Sequence, residues 1–245
     1  MGYYWPTMKR DAAKFVKKCH NCQVQANLIH THPQNLHSMV TPWPFHTYGL
    51  DLVRLVNPPS RRHIWILVAT EYFTKWVEAV PLHKATGGAM ANFIKENIIV
   101  RFGVPHRIIS NNGTPFVNSD VRKMLEFYQV KHRRSSPYYP QGNGQVEATT
   151  KTLIKIISKM RQEYTGGWAT HLPDALWAYR KSSKSATDFS PFSLVYETEV
   201  VSPAEIMTSS LRVIQMREKE KEGEVFAAER CEDLEELDEK REKAQ

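Results

Sequence analysis

Asp51 stands in the apolar run Leu50-Asp-Leu-Val53. A carboxylate inside such a run must be hydrogen-bonded, ion-paired or bound to a cation, because leaving it buried and unpaired is expensive. Two further polar residues fall where backbone ends converge: Asn111, closing a short apolar run, and Glu147, early in a long helical stretch. Fifty-nine residues separate Asp51 from Asn111, and 35 separate Asn111 from Glu147. Taken alone, Asp51 also fits a satisfied structural role. A second group is Cys19-His-Asn-Cys22. With Cys231 as the only other cysteine, no disulfide framework exists, and the close pair reads as metal or redox chemistry.

The elements that must carry these residues follow from hydrophobic spacing. Three runs rich in Val, Ile, Trp and Tyr, at 48–56, 63–71 and 75–82, read as strands joined by antiparallel hairpins, with Asn57-Pro-Pro-Ser as the first turn. Helical spacing begins at Ala89-Phe93-Ile94-Ile98. Residues 107–110 form a brief buried strand that ends in the turn cluster Asn111-Asn-Gly-Thr-Pro. Ser119 opens a helix with Val121, Met124, Leu125 and Tyr128 on one face, and Asp120 is expected to cap it. A short strand at 131–136, a loop holding Gly142-Asn-Gly144, and a long amphipathic helix from Gln145 to Tyr164 complete the series. Strands alternating with helices after an initial meander predict an α/β domain, a mixed sheet covered by helices.

Composition sets the outer limits. The 245 residues, 41% hydrophobic and 24% charged, suffice for one good core with small appendages. No run approaches the roughly 18 apolar residues of a membrane span, so no membrane role is expected. The N-terminus lacks the pattern of a secretory signal, and the expected compartment is intracellular. The net charge of +7 is uneven: from Arg217 to Gln245, 7 Lys/Arg meet 12 Asp/Glu, a tail at −5, leaving 26 against 14 before it, a body at +12. A field of that sign favours a polyanion, and nucleic acid first.

The stretches Ile-Ile-Ser-Asn111-Asn-Gly-Thr-Pro-Phe and Pro137-Tyr-Tyr-Pro-Gln-Gly-Asn-Gly-Gln-Val-Glu147, with the spacing from Asp51, closely resemble the integrase of gypsy-type LTR retrotransposons. Further matching segments are Tyr3-Tyr-Trp-Pro-Thr-Met, Cys19-x-x-Cys22, Pro42-Trp-Pro-Phe, Trp76-Val-Glu-Ala and Pro191-Phe-Ser-Leu-Val-Tyr, so the resemblance covers nearly the whole chain. It implies a ribonuclease-H-like core over 45–206, a partial zinc-binding module over 1–32, a linker over 33–44 and a charged helical tail over 207–245. It also implies polynucleotidyl transfer: water attacks a phosphodiester near the 3′ end of element DNA, and the freed 3′ hydroxyl attacks target DNA. Two divalent metals, Mg²⁺ or Mn²⁺, serve such chemistry on carboxylate ligands. By resemblance Asp51 bridges the metals, Glu147 holds one from the helix, and Asn111 occupies a position where the family carries aspartate.

That departure removes one negative charge from a site built on three, so metal affinity and alignment are expected to suffer while the fold survives. Asp120, nine residues downstream, is read as a helix cap and not as a replacement. Gln145, Lys151 and Lys155 are the candidate DNA contacts. Lys151, four residues after Glu147, faces the same side, whereas Lys155 and Lys159 read first as a solvated basic face that still attracts DNA. Arg133 and Arg134 stand near the same sheet end. Family zinc binding needs two histidines ahead of the Cys pair, but the first histidine here is His20, inside the pair. Only Cys19 and Cys22 carry over, and Zn²⁺ is expected only if the module is completed, for instance by His30 or His32.

Trp168, Trp177, Tyr179 and Phe192 read as core aromatics, and the tail beyond Leu211 as an exposed or coiled-coil-like helix. No C-terminal DNA-binding barrel is legible. By resemblance the partners are element-end and target DNA and further copies of the chain, and the location is the nucleus after a cytoplasmic particle stage. Two other readings stay open: a non-catalytic DNA-binding or assembly remnant, and a hybrid-cutting ribonuclease H, against which the zinc remnant and the glycine loop stand.

Overall fold

The computed structural model describes residues 5–20, 22, 41–54, 59–135, 144–163, 167–198, 200–201, 214 and 239–243. Helix α1 is Met8–Lys18. Strands β1 Thr47–Arg54, β2 Trp65–Glu71 and β3 Val77–Leu82 follow as antiparallel neighbours. Helix α2, Gly87–Phe93, continues through π-helical turns at Ile94–Ile99 into a last turn at Val100–Phe102. Then come β4 Arg107–Ser110, α3 Ser119–Phe127, β5 Lys131–Arg134, α4 Gly144–Glu163, α5 Leu172–Lys181 and α6 Pro191–Tyr196. The sheet order is β3-β2-β1-β4-β5, with β4 parallel to β1 and β5 parallel to β4.

Strand alternation makes the sheet two-faced. Tyr48, Leu50, Leu67, Ala69 and Ile108 point into a core with Met90, Phe93, Ile94 and Ile98 of the α2 helix and Val121 and Leu125 of α3. Ile66, Val68, Val77 and Ala79 point the other way, onto Leu153 and Ile157 of α4 and Leu172, Ala175 and Leu176 of α5, with Trp168 closing the layer. Leu153 and Ile157, four residues apart, form α4's inward stripe. Truncating either to alanine is expected to cost about 2–5 kcal/mol.

A buried ion cluster ties the layers at β3. The Glu78 carboxylate, 4% exposed, meets Arg101 at 2.8 Å and Arg180 at 3.0 Å, and accepts Trp76 Nε1 at 2.8 Å. Arg180 also donates to Val77 O and lies over the Trp76 ring.

Several boundaries differ from the sequence expectation. Lys75 adopts φ +63° inside a turn closed by the Glu71 carboxylate, which accepts Phe73 N and Thr74 N, so β3 begins at Val77. Arg61 and Arg62 have positive φ in a tight turn bridged by Ser60 and His63, so β2 begins at Trp65. Asp120 does not cap α3: Asn118 Oδ1 accepts Asp120 N at 2.8 Å, and Asp120 supplies negative charge in the first turn. Trp177 is half-buried, with Lys181 Nζ 4.3 Å from its ring centre, whereas Trp168 and Tyr179 are core as expected. Among the described residues no helix is long and apolar enough to cross a membrane. Most of the tail beyond Leu211, and His30 and His32, lie outside the described residues.

Candidate active site

Asp51 and Asn111 are brought together by the central parallel pair. Gly49 and Ile109 are register partners, and each candidate lies two residues further along its strand direction, so both sit at the same end of adjacent strands. Asp51 is half-buried and remains in β1, while Asn111 is the first residue after β4. The Asn111 side chain is already committed: its Oδ1 accepts Gly113 N at 2.9 Å, holding the turn. Asn112 Nδ2 donates to Ser135 O at 3.1 Å, which fastens that turn to the end of β5.

Glu147 comes from α4, which crosses the same sheet face. Gly49, on the Asp51 side of β1, lies against Val146, and a Cβ there would overlap Val146 Cγ2 and come within 2.6 Å of the Tyr72 ring and hydroxyl. This close approach requires glycine and brings the first turn of α4, which holds Glu147, against β1. Thr150 and Lys151, one helical turn after Glu147, face Asp51. The nearby Thr150 hydroxyl favours the Asp51 carboxylate, although it stops short of full hydrogen-bond geometry, and the Lys151 charge acts in the same sense. Asp51 and Asn111 thus share one end of the sheet, under the helix that carries Glu147.

Burial raises the Asp51 pKa above the ordinary carboxylate value; Thr150, the Leu52 amide (2.9 Å to Oδ1) and Lys151 offset this only in part. Burial, reinforced by the Glu147 charge, also raises the Tyr72 phenol. The Asp51 shift is first a cost of burying the charged carboxylate, a cost that a bound cation would offset. The donor set is two carboxylates and one amide oxygen. It suits a hard divalent ion on Asp51 and Glu147, and offers a weaker place at Asn111. Among the described residues no three His, Cys, Asp or Glu side chains converge as a metal site.

The other sequence candidates divide. Lys151 is exposed beside the site. Lys155, half-buried, lies one turn further along α4. Gln145 is turned inward, its Nε2 donating to Tyr72 O at 3.3 Å, so the amide fixes α4 to the turn after β2. Sequence reasoning passed over Tyr72 and Gly49; the only available signal was a glycine two residues before an in-strand aspartate. Cys19 caps α1, and Cys22 Sγ lies 3.8 Å from Lys159 Nζ on α4. These two thiols are half a tetrahedral zinc set, and the described residues add no third ligand to them.

Residues 44–140 match the integrase core domain family, and residues 2–27 the integrase zinc binding domain family. Among curated proteins, the gypsy retrotransposon integrase-like protein 1 of Bos taurus is 27% identical over 203 residues, covering 82% of this chain and 40% of that protein. The transposon Tf2-3 polyprotein of Schizosaccharomyces pombe is 26% identical over 212 residues, 85% of this chain and 16% of the polyprotein. The chain thus spans less than half the length of either relative. Among solved structures, a chain of the simian T-cell lymphotropic virus intasome, in complex with a PP2A regulatory subunit, superposes with a TM-score of 0.59 at 19% identity, covering 82% of this chain and 70% of that one. The mixed sheet and its flanking helices have the ribonuclease-H-like fold.

Proposed function

We propose that this chain, which carries an integrase core domain and is related to gypsy-type retrotransposon integrases, is built for metal-dependent DNA 3′ processing and strand transfer and is impaired in that chemistry by Asn111. The observation that supports the reading is that Asp51 and Asn111 end adjacent parallel strands, and the helix packed against that strand at Gly49 carries Glu147. Asp51 and Glu147 would hold Mg²⁺ or Mn²⁺, which when bound activates the attacking oxygen and stabilises the leaving oxygen of phosphoryl transfer. The chain's own residues do the rest. Lys151 is placed to meet a phosphate of the DNA end, and Lys155 extends the basic face along α4. The turn held by Gly113 N keeps Asn111 at the strand end, where its neutral amide offers an oxygen but no charge.

Element-end DNA and target DNA are the proposed substrates, acted on by a multimer of this chain; the relation to an intasome subunit supports assembly of copies. The proposed place of action is the nucleus, reached from a cytoplasmic particle. Zn²⁺ belongs to this reading only where further ligands join Cys19 and Cys22. A second reading, a non-catalytic DNA-binding or assembly protein, is favoured by one observation: the Asn111 oxygen already serves Gly113 N.

The test compares the native chain with Asn111→Asp for Mn²⁺-dependent 3′ processing and strand transfer on the element's terminal DNA. Activity in Asn111→Asp, with little or none in the native chain, is the expected result. Equal activity in both would refute the impairment, and none in either, with DNA still bound, would favour the second reading. Binding of duplex DNA is expected to weaken steeply as salt rises, about one unit of log–log slope per phosphate contacted; salt-independent binding would count against both readings.

A further inference from the structure

Tyr72 lies in the turn after β2, 2% exposed, and the chemistry above makes no direct use of it. Its ring packs with Ile109 and Val146 in a buried cluster of their own. Its Cε1 and hydroxyl close over Gly49, each 2.6 Å from where a Cβ would stand. The backbone is fixed as firmly: Tyr72 N donates to Thr47 O at 3.0 Å, and Tyr72 O accepts Lys75 Nζ at 2.6 Å and Gln145 Nε2 at 3.3 Å. Its three packing partners each lie within two residues of a site residue in sequence. Gly49 precedes Asp51 by two residues on the same strand face, Ile109 precedes Asn111 by two, and Val146 precedes Glu147 by one.

We propose that Tyr72 is the positioning residue of the site: one side chain wedged between β1, β4 and α4 that sets the height of the helix over the sheet, and with it the separation of Glu147 from Asp51. Close packing is what gives it this leverage. Interiors at crystal-like density transmit displacement, so shrinking the wedge lets α4 settle or tilt at its N-terminal turn, where Glu147 sits. The ring supplies the spacing, and the Gln145 bond to Tyr72 O fixes rotation about the helix axis. Tyr72 need touch neither metal nor DNA. The consequence for metal binding rests on the function proposed above; the wedge itself does not.

The test uses the full chain with Tyr72→Phe, which keeps the ring, and Tyr72→Ala and Tyr72→Leu, which remove it. Amide exchange along residues 144–151 is followed without metal, and Mn²⁺ affinity by titration. Tyr72→Ala is expected to speed exchange in that stretch while β2 and β3 stay protected, and to weaken Mn²⁺ binding by about 10-fold or more. Tyr72→Phe is expected to restore parental exchange and most of the affinity. Tyr72→Leu serves where the alanine variant does not fold, with the same expected direction. Unchanged exchange at the start of α4 overturns the inference, as does faster exchange with Mn²⁺ affinity untouched. A parent chain that takes no Mn²⁺ defeats the metal reading instead; exchange alone then decides the wedge, acceleration supporting it and parental rates refuting it.

Discussion

Replacing Asn111 by aspartate should move stability in opposite directions with and without metal. Adjacent parallel strands lie about 4.8 Å apart, and Asp51 and Asn111 occupy equivalent places beyond the Gly49–Ile109 pair. Two carboxylates about 5 Å apart repel by about 3 kcal/mol at an effective dielectric near 20, and solvent at a half-open site reduces that to about 1–2 kcal/mol. In a domain of this size the metal-free midpoint should fall by about 2–8 °C. The new carboxylate can still accept Gly113 N, so the turn survives. Toward a divalent cation about 4 Å away the same charge is worth up to about 8 kcal/mol at that dielectric. Desolvation consumes most of this, and a net gain of about 3 kcal/mol corresponds to about 100-fold tighter Mn²⁺ binding. The assay is paired: calorimetric titration for affinity, and thermal unfolding with and without saturating Mn²⁺. The variant should unfold below the parent in chelator and above it in Mn²⁺. Affinity within about threefold of the parent, or midpoints that shift the same way in both conditions, would refute the placement of Asn111 beside Asp51.

Other parts of the fold make independent predictions. Glu78→Gln leaves Arg180 and Arg101 facing a neutral partner in a site 4% exposed, and should cost about 3 kcal/mol or more in chemical denaturation; Arg101→Ala, at a side chain 41% exposed, should cost about 1 kcal/mol or less. Burial lowers the Lys184 amine from 10.5 to about 8, so its charge opposes folding below pH 8 and the penalty fades between pH 8 and 10.5. Lys184→Met should therefore raise the unfolding midpoint more at pH 6 than at pH 10, and an equal shift at both would contradict that account. Gly49→Ala drives a methyl into Val146 and Tyr72, with an overpacking cost of about 1–3 kcal/mol and weakened Mn²⁺ binding in a chain that still folds; parental Mn²⁺ affinity would show that α4 is not held by that contact.

What was legible in the sequence was periodic or punctuated. The β-β-β-α opening, the buried 107–110 strand and the long helix carrying Glu147 followed from apolar spacing, and Asp51 stood out as a carboxylate inside an apolar run. Strand starts were misjudged where a side chain overrides local propensity. Lys75 and Trp76 look like strand residues, but the buried Glu71 carboxylate gathers Phe73 N and Thr74 N into a turn. The α3 cap was one residue off the expected pair because Asn118, a better oxygen acceptor in extended backbone, precedes Ser119 and Asp120. Gln145 reaches Tyr72 O, a partner 73 residues away that no local pattern reveals. Tyr72 itself reads as one more strand-end aromatic until the crossing of α4 over β1 gives it a place.

The proposed cation site joins Asp51, Asn111 and Glu147 at the end of β1 and β4. Its most direct test is anomalous diffraction from crystals grown with Mn²⁺, in the native chain and in Glu147→Gln. The account predicts a manganese peak between the Asp51 and Glu147 carboxylates that is lost or much weakened in Glu147→Gln. A native chain whose manganese lies elsewhere, or whose Asp51 and Glu147 point apart at saturating Mn²⁺, would contradict it.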